Sequence, residues 1–410
     1  MTSDETEPAN GLRGIAAFSW NSVLSTYLPA FILALGTGIA VPGIPTLAKS
    51  FDVSFGVASG VVTAFLLGNL FATIPSGWLV DRFGYRVIMI AGPLLTAVTA
   101  LLVVFTDSFA QLLVLRFFGG CAAQMWTMGR LAAISQGAAP AQRGRLVSWM
   151  FGMDSCGSLA GPIVGGFIAS TWGARAPFVI FAVLALIALV PASRGGASLP
   201  SRAPKAPAQA AAPSLSLRQL VLPRLPYFAV ALFAGLTRGP LQADLLHLYA
   251  AFAYDLGPAA IGYLATGATI LSLPLVFGSG WLMDRFGRKL TMVPGFVGGT
   301  IAMTALAVSA FADLSLAWYV GLFFFAVVMQ ALTSGSIQTV GADVAPPDAR
   351  GRFLGLWRFT SQGGSALGPI FFAIVADQVN YGTSFLLIAA FAAVVAVLLV
   401  RYVPETRTAD

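Results

Sequence analysis

The stretch Gly77-Trp-Leu-Val-Asp-Arg-Phe-Gly84 decides the fold, because the chain repeats it half a length later. It returns almost unchanged as Gly280-Trp-Leu-Met-Asp-Arg-Phe-Gly287. A second block, Arg143-Gly-Arg145, returns as Arg350-Gly-Arg352 at nearly the same offset. Two independent blocks at nearly one spacing indicate duplication of a whole structural unit, and such duplication is typical of secondary transporters.

Composition places both copies in a membrane. The chain of 410 residues is 57% hydrophobic and 10% charged, whereas a soluble domain carries about a quarter charged residues. Apolar stretches of about 20 residues recur along the whole length, as helices that cross a bilayer require. We predict twelve spans, at 24–48, 55–80, 86–106, 109–137, 145–170, 176–193, 227–252, 258–282, 288–311, 314–341, 351–376 and 380–402.

The predicted fold is an all-α integral membrane protein with two pseudo-symmetric bundles of six helices. The bundles comprise residues 1–192 and 227–410, and residues 193–226 form a basic, Pro- and Ala-rich cytoplasmic linker. Lys and Arg concentrate in loops on one side, while the other side holds Lys49 and Arg175. The positive-inside rule therefore predicts a multi-pass protein of the cell inner (plasma) membrane with both termini in the cytoplasm. The net charge of +7 is a topology signal, not a nucleic-acid footprint.

The repeated loop resembles the signature of the major facilitator superfamily, G-x-L-a-D-r-x-G-r-k. The resemblance implies twelve helices around a central cavity, with the loop acting as a latch on the cytoplasmic side when the cavity opens outward. A solvated turn is the alternative for both aspartates. The latch candidates are Gly77, Asp81, Arg82, Gly84 and Arg86 in the first copy, and Gly280, Asp284, Arg285, Gly287 and Arg288 in the second.

Span five carries a stripe of small residues, Gly157-x-x-x-Gly161-Pro162-x-x-Gly165-Gly166. It resembles the motif that the family associates with antiporters, above all drug–proton exporters, and it favours export over uptake. Ordinary close packing of helices is the alternative. Arg116 in span four resembles the arginine of the family motif R-x-x-q-G, which implies proton coupling. An arginine that snorkels toward the interface is the alternative.

Charged residues within spans are functional candidates, because burying a charge in a bilayer is costly. Arg130 and Asp154 lie at similar depth on adjacent spans, so they predict either a structural ion pair or a site for coupling or substrate contact. Asp244 and His247 lie one helical turn apart and could exchange a proton. A hydrated histidine at the outer mouth is the alternative.

Arg238 and Arg358 fall in spans seven and eleven, which border the cavity in this family. Two arginines there could clamp a carboxylate or phosphate, or could instead serve carbonyl groups and helix dipoles. Span one has no acidic residue, which weakens the case for export of organic cations. Further candidates for substrate contact are Arg130, Gln124, Trp126, Tyr27 and Trp357.

Together these features predict a proton-coupled secondary transporter that works by alternating access. Export of a small amphipathic or anionic organic compound is the leading hypothesis. The alternatives are an uptake symporter, exchanger or uniporter for an organic anion such as a carboxylate, and a membrane-embedded protein without transport activity. The chain shows no phosphate-binding loop and no metal-spaced cluster, so we expect no enzyme activity, cofactor or metal. The expected partners are the solute, protons and lipid, with no nucleic acid, around a monomer.

Overall fold

The computed structural model describes residues 27–137, 140–194, 217–242, 245–346 and 349–403, and these residues contain helices and no strand. The helices of the first half are α1 Leu28–Ala40, α2 Gly43–Lys49, α3 Phe55–Phe83, α4 Tyr85–Val103, α5 Phe109–Gly137, α6 Pro140–Trp172 and α7 Ala176–Arg194. Those of the second half are α8 Leu217–Val221, α9 Leu225–Gln242, α10 Leu245–Ala253, α11 Pro258–Phe286, α12 Arg288–Phe311, α13 Leu316–Leu332, α14 Ser336–Val344, α15 Arg350–Gln378 and α16 Tyr381–Tyr402.

Ten segments of the described chain are long and apolar enough to cross a membrane. They correspond to ten of the twelve predicted spans. The other two predicted spans coincide with α5 and α6, which are continuous helices of 29 and 33 residues. The predicted multi-pass, all-helical fold is confirmed, and the count of twelve rests on α5 and α6 crossing with the others.

The two halves are built on the same packing plan. In the first half α1 packs along α6, and in the second half α9 packs along α15. The contact between halves is symmetric as well, since α3 packs against α15 and α6 packs against α11. This arrangement places α1, α5 and α6 on one side of a central space and α9, α11 and α13 on the other.

Three predicted spans are divided into two helices. In span one, α1 ends at Ala40 and α2 begins at Gly43, because Pro42 has no N–H with which to continue the helical hydrogen bonds. Span seven is divided into α9 and α10. Span ten breaks before α14 at Gly335, whose φ of +77° is a conformation that glycine adopts without strain.

Helical structure extends into both ends of the predicted linker. Ser193 and Arg194 belong to α7, and Leu217–Arg224 form α8 and a turn of 3₁₀ helix. Leu220 is fully buried in a cluster with Phe228 and Phe353. Residues 195–216 lie outside the described residues. Helical structure therefore begins within the predicted linker, because an apolar face of α8 has a core to pack against, and the boundary between the halves stays a prediction.

One end of the molecule, which we call the sealed end, is closed by a core that both halves share. Ile44, Leu47 and Phe55 of the first half pack in the same cluster as Tyr249 and Phe372 of the second. The opposite end, where the Gly84 and Gly287 turns lie, is called the signature end. The central space lies between the two ends.

Candidate functional site

A cavity of about 700 Å³ lies between the halves. This volume falls within the range of about 300–1,000 Å³ that is usual for small-molecule sites. The cavity is partly open, and its walls come from both halves. Most of its lining is apolar, and its charged or titratable lining residues are Arg116, Arg130, Asp154, Arg238 and His247.

Helix α5 presents a continuous stripe to this cavity, composed of Arg116, Gly119, Ala123, Trp126 and Arg130. Their spacing of three or four residues keeps them on one face, because the helix completes a turn every 3.6 residues. The two small residues in the middle leave room, and each arginine stands at one end of the stripe. The same helix thus supplies two cationic groups to one cavity.

Arg130 and Asp154, which the sequence predicts as a pair, form a bidentate ion pair in the cavity wall. Arg130 Nη1 donates to Asp154 Oδ1 at 2.9 Å, and Nη2 donates to Oδ2 at 3.0 Å. The Arg130 guanidinium also lies 5.0 Å from the ring centre of Trp126. The arginine side chain is 3% exposed and the aspartate side chain is 28% exposed, so the carboxylate is the partner that the cavity reaches.

The other basic side chains of the cavity take up separate positions. The Arg116 guanidinium lies 4.7 Å from the ring centre of Phe65, and its Nε donates to the Val61 carbonyl at 3.4 Å. On the opposite wall, Arg238 and His247 line the cavity, and the His247 ring packs edge-on against Phe323 with centroids 5.4 Å apart.

Four of the predicted site residues lie away from the cavity lining. Trp357 is fully buried in a core cluster, where its Nε1 donates to the Ile337 carbonyl at 3.1 Å. The hydroxyl of Tyr27 donates to the Leu146 carbonyl at 3.3 Å, and the Gln124 side chain is 2% exposed. These three side chains fill packed helix interfaces. Their predicted role as cavity lining is therefore corrected.

Arg358 also lies outside the lining residues. It sits seven residues before Ser365, a cavity residue of α15, and therefore lies on the same face two turns nearer the signature end. The predicted clamp of Arg238 and Arg358 is not assembled around the cavity in this structure. Asp244 lies outside the described residues, so the predicted exchange with His247 stays a prediction.

The signature loops form two equivalent turns. Gly84 and Gly287 have φ angles of +83° and +92°, which L side chains rarely adopt, so the motif requires glycine there. Asp81 and Arg82 are exposed, and the Arg82 guanidinium lies 5.2 Å from the Trp78 ring centre. Further positions of the motif occupy the same two turns: Gly77 and Arg86 flank the first, and Arg285 lies before the second. The side chains of Gly280, Asp284 and Arg288 lie outside the described set. Their role as a latch stays a prediction.

The glycine stripe of α6 lets two neighbours approach closely. A Cβ on Gly161 would lie 2.7 Å from Gly38 Cα, and a Cβ on Gly157 would lie 2.5 Å from the Phe31 carbonyl, so both positions press on α1. Gly165 presses on the same helix, and a Cβ on Gly38 would lie 3.1 Å from Pro162 Cδ. Gly166 faces the other half, where a Cβ would lie 3.2 Å from Gly262 Cα. The stripe therefore joins α6 to α1 and to α11 at once.

The sealed end carries polar contacts that the sequence does not reveal. The Gly56 N–H donates to Asp377 Oδ1 at 2.7 Å, and the Ser54 hydroxyl donates to the same carboxylate. Asp377 lies in the last turn of α15 in the second half, and Ser54 caps α3 in the first. Nearby, Lys49 forms an ion pair with Asp255 across the same boundary.

A family model described as Major Facilitator Superfamily matches residues 26–246 and 245–410. The chain belongs to the major facilitator superfamily. It is thus a multi-pass membrane protein of a family of solute transporters. The Multidrug resistance protein 1 of Bacillus subtilis is 29% identical over 160 residues, which cover 39% of this chain and 41% of that protein. The Tetracycline resistance protein, class B, of Escherichia coli is 23% identical over 350 residues, 83% of this chain and 85% of that protein.

Other matches cover part of the chain or concern the fold alone. The chain spans 37% of the length of the MFS-type transporter ppzB of Metarhizium rileyi, at 29% identity over 42% of this chain. A crystal structure of a D-xylose-proton symporter superposes with a TM-score of 0.75 at 16% identity, covering 95% of this chain and 98% of that one. A POT family transporter bound to a peptide conjugate gives a TM-score of 0.76 at 11% identity, with 93% and 95% coverage. These structures establish the fold alone.

Proposed function

We propose that this protein exports a small amphipathic or anionic organic compound in a proton-coupled cycle of alternating access. The observation that carries the proposal is the cavity of about 700 Å³ between the halves, with apolar walls and the groups Arg116, Arg130, Asp154 and Arg238. Both halves contribute to its wall, so rocking of one half against the other would change access to the cavity.

Basic residues set the orientation that we propose. Arg82, Arg285 and Arg401 are exposed at the signature end, while Lys49 and Arg175 lie at the sealed end. The positive-inside rule then assigns the signature end to the cytoplasm and the sealed end to the outside. In this orientation the described state is closed to the outside, and a solute would enter the cavity from the cytoplasm, as export requires.

The names of two relatives support the direction of transport. Both are resistance proteins, for multiple drugs and for tetracycline, which is what export of a toxic compound produces. Glycines of α6 pack tightly on α1, in the motif that resembles the antiporter signature.

The test uses purified protein in proteoliposomes of known orientation. A thermal-shift screen against benzoate, benzamide and benzylammonium first identifies the class that binds, since a ligand stabilises the state it binds. Flux of a stabilising probe is then measured with a pH gradient present and after a protonophore has collapsed it. Proton coupling predicts that flux changes with the gradient, and export predicts net movement from the signature side to the sealed side. Unchanged flux after the collapse would reject coupling. An Asp107→Asn variant, changed at an exposed turn, serves as the matched control.

Uptake of an organic anion together with a proton is the second candidate. The bidentate pair of Arg130 and Asp154 favours it, because a guanidinium of this geometry also binds an external carboxylate. In the same vesicles, this candidate predicts that an inward pH gradient accumulates benzoate, whereas export in exchange for protons predicts its depletion.

A further inference from the structure

The Arg130–Asp154 pair faces its cavity unequally. Arg130 is 3% exposed and is held by two hydrogen bonds to Asp154 and by the ring of Trp126. Its Nε is buried with no hydrogen-bond partner among the described residues. The carboxylate side is 28% exposed, so a ligand in the cavity meets the anionic partner first. A solute that binds Arg130 must therefore displace Asp154.

The charges of this pair allow a limited set of occupied states. Arginine keeps its proton in proteins, so Arg130 needs an anionic partner wherever water is excluded. An anion that replaces Asp154 leaves that carboxylate unpaired and desolvated, which favours its protonated form. A proton on Asp154 without an anion leaves Arg130 unpaired. Only the state with both ligands, or the state with neither, is electrically neutral.

We propose that Arg130 and Asp154 form a site that takes one small organic anion together with one proton. The proposal rests on the proposed transport through this cavity, in the form in which an organic anion moves together with a proton, and it names the substrate class. The proton comes from water on the side to which the cavity opens, binds the Asp154 carboxylate as the anion takes its place on Arg130, and leaves again when the anion dissociates and the pair re-forms. No other bond changes.

The cavity also indicates what the rest of the anion is like. Phe65, Phe178, Phe181 and Phe323 line its walls, and the ring of Trp126 flanks the arginine. A carboxylate matches the fork of a guanidinium in two parallel hydrogen bonds, and an aromatic or similarly flat apolar body suits the remaining wall. The ligand class is therefore an amphipathic aromatic carboxylate.

The other charged groups around the pair have to be separated from it. Arg116, Arg238 and His247 line the same cavity, and α1, which packs along α6, carries no charged residue in Leu28–Ala40. Helix α11 also packs on α6, and its charged residues Asp284 and Arg285 lie at the signature end. The arginines attract the anion but exchange no proton. The His247 imidazole can also exchange a proton, and its neighbour Asp244 lies outside the described residues, so a histidine variant is part of the test.

Joint binding has a direct consequence for the transport cycle. Anion and proton move in the same direction, so an outward gradient of the anion drives export with a proton. An inward proton gradient drives uptake through the same site. Proton exchange against the anion, in contrast, requires the two to bind alternately.

The experiment is calorimetric titration of the purified full chain with benzoate at pH 8, in two buffers with different ionisation enthalpies. We expect about one proton taken up per benzoate bound, and an affinity that falls about tenfold per pH unit above the range in which Asp154 holds a proton. Benzamide, the neutral counterpart, should bind at least tenfold more weakly. Asp107→Asn should behave as the unmodified protein does.

The variants decide which residue takes the proton. Asp154→Asn resembles the protonated carboxyl, so it should bind benzoate without proton uptake and more tightly than the unmodified protein at pH 8. The double variant Arg130→Gln, Asp154→Asn, which keeps a neutral pair and avoids an unpaired buried charge, should lose at least tenfold in benzoate affinity. His247→Gln should retain the proton uptake.

Three results would overturn the proposal: benzoate binding without proton uptake, proton uptake that survives Asp154→Asn, or no preference for benzoate over benzamide. Each of these leaves the proposed transport standing if vesicles still move another solute in response to pH. Joint binding without any flux in vesicles would instead uphold the site and reject the proposed function.

Discussion

Replacing Phe55 with alanine should release the sealed end. Phe55 is the first residue of α3 in the first half, and its ring enters a box of aromatic side chains from the second half. Its centroid lies 5.0 Å from Tyr381, 5.7 Å from Phe252 and 6.0 Å from Phe372. The side chain is 3% exposed. Opening of the sealed end must withdraw this ring from the box.

The magnitude follows from the area that the ring hides. Burying a phenylalanine side chain stabilises a state by about 1.5–3 kcal/mol relative to exposing it. Aromatic pairs add about 0.5–1.5 kcal/mol, and part of the burial persists in any open state. A net loss of about 2 kcal/mol is therefore expected. Since 1.4 kcal/mol is a factor of ten, the ratio of open to closed protein should rise about 30-fold.

The assay is a distance measurement by double electron–electron resonance across the sealed end. Spin labels are placed at Asp107→Cys and Asp313→Cys, two exposed turns that lie on opposite halves. Cys156 is exposed and must first be replaced by serine, whereas Cys121 is buried. Phe55→Ala should add a population at longer distance, and its amplitude gives the equilibrium constant directly.

Phe105→Ala is the matched control, because Phe105 lies at the same end and is 67% exposed. It should leave the distance distribution unchanged. If Phe55→Ala gives the same distribution as the unmodified protein, the ring does not hold the halves together. An equal shift in both variants would show that any loss of aromatic surface opens this end, which also refutes the reasoning.

Three further outcomes follow from other contacts. Gly165→Val drives a side chain into a carbonyl of α1, so it should lower the free energy of unfolding by about 3 kcal/mol. Fluorescence-detected thermal unfolding checks this. The control is Gly299→Ala, which should change little because a Cβ there meets nothing within 4 Å. Arg238→Gln should weaken binding of benzoate far more than of benzamide in calorimetric titration, and equal losses would reject an anion contact. The Lys49 ammonium, by its hydrogen bond and its charge, holds the pKa of the Asp255 carboxyl below the ordinary value of 3.8. The contribution of this pair to closure should therefore be complete above pH 3.8 and be lost as the pH falls through the lowered pKa, and the label distances should lose this acid dependence in Asp255→Asn.

The fold could be predicted because its determinants are repetitive. The duplicated Asp-Arg loop and the regular apolar stretches carry the same information twice, and the glycines at 84 and 287 occupy a backbone conformation that few other residues accept. The pairing of Arg130 with Asp154 could also be predicted, because the two residues lie at similar depth on adjacent spans. Buried charges in a membrane need partners, and the chain offers few.

The cavity lining could be predicted only in part. A helix that is apolar on all sides gives no periodic signal that distinguishes a cavity from a packed interface. Trp357 and Tyr27 therefore looked like cavity aromatics, whereas Phe65, Phe178 and Phe181, which do line it, had no distinguishing mark. Counting along α5 from Arg116 in steps of three or four residues places Trp126 and Arg130 on the same face of the helix.

Contacts between the halves could not be predicted at all. Ser54 and Asp377 are 323 residues apart, and neither lies in the repeated blocks. A serine before a helix predicts a local cap, and it says nothing about a carboxylate from the other half. Such contacts differ between states of one molecule, so a sequence pattern that is common to all states does not specify them.

The close approach of Gly166 and Gly262 has a mechanical consequence. The backbones of α6 and α11 are in direct contact there. A movement of one half against the other therefore takes place at a contact that has no side chain between the two helices. A methyl group at either position would push the two helices apart and so tilt one half against the other. Alanine, serine and valine at Gly262 would then change the angle between the two halves in steps. Each variant could hold the protein in a different conformation of the transport cycle for study.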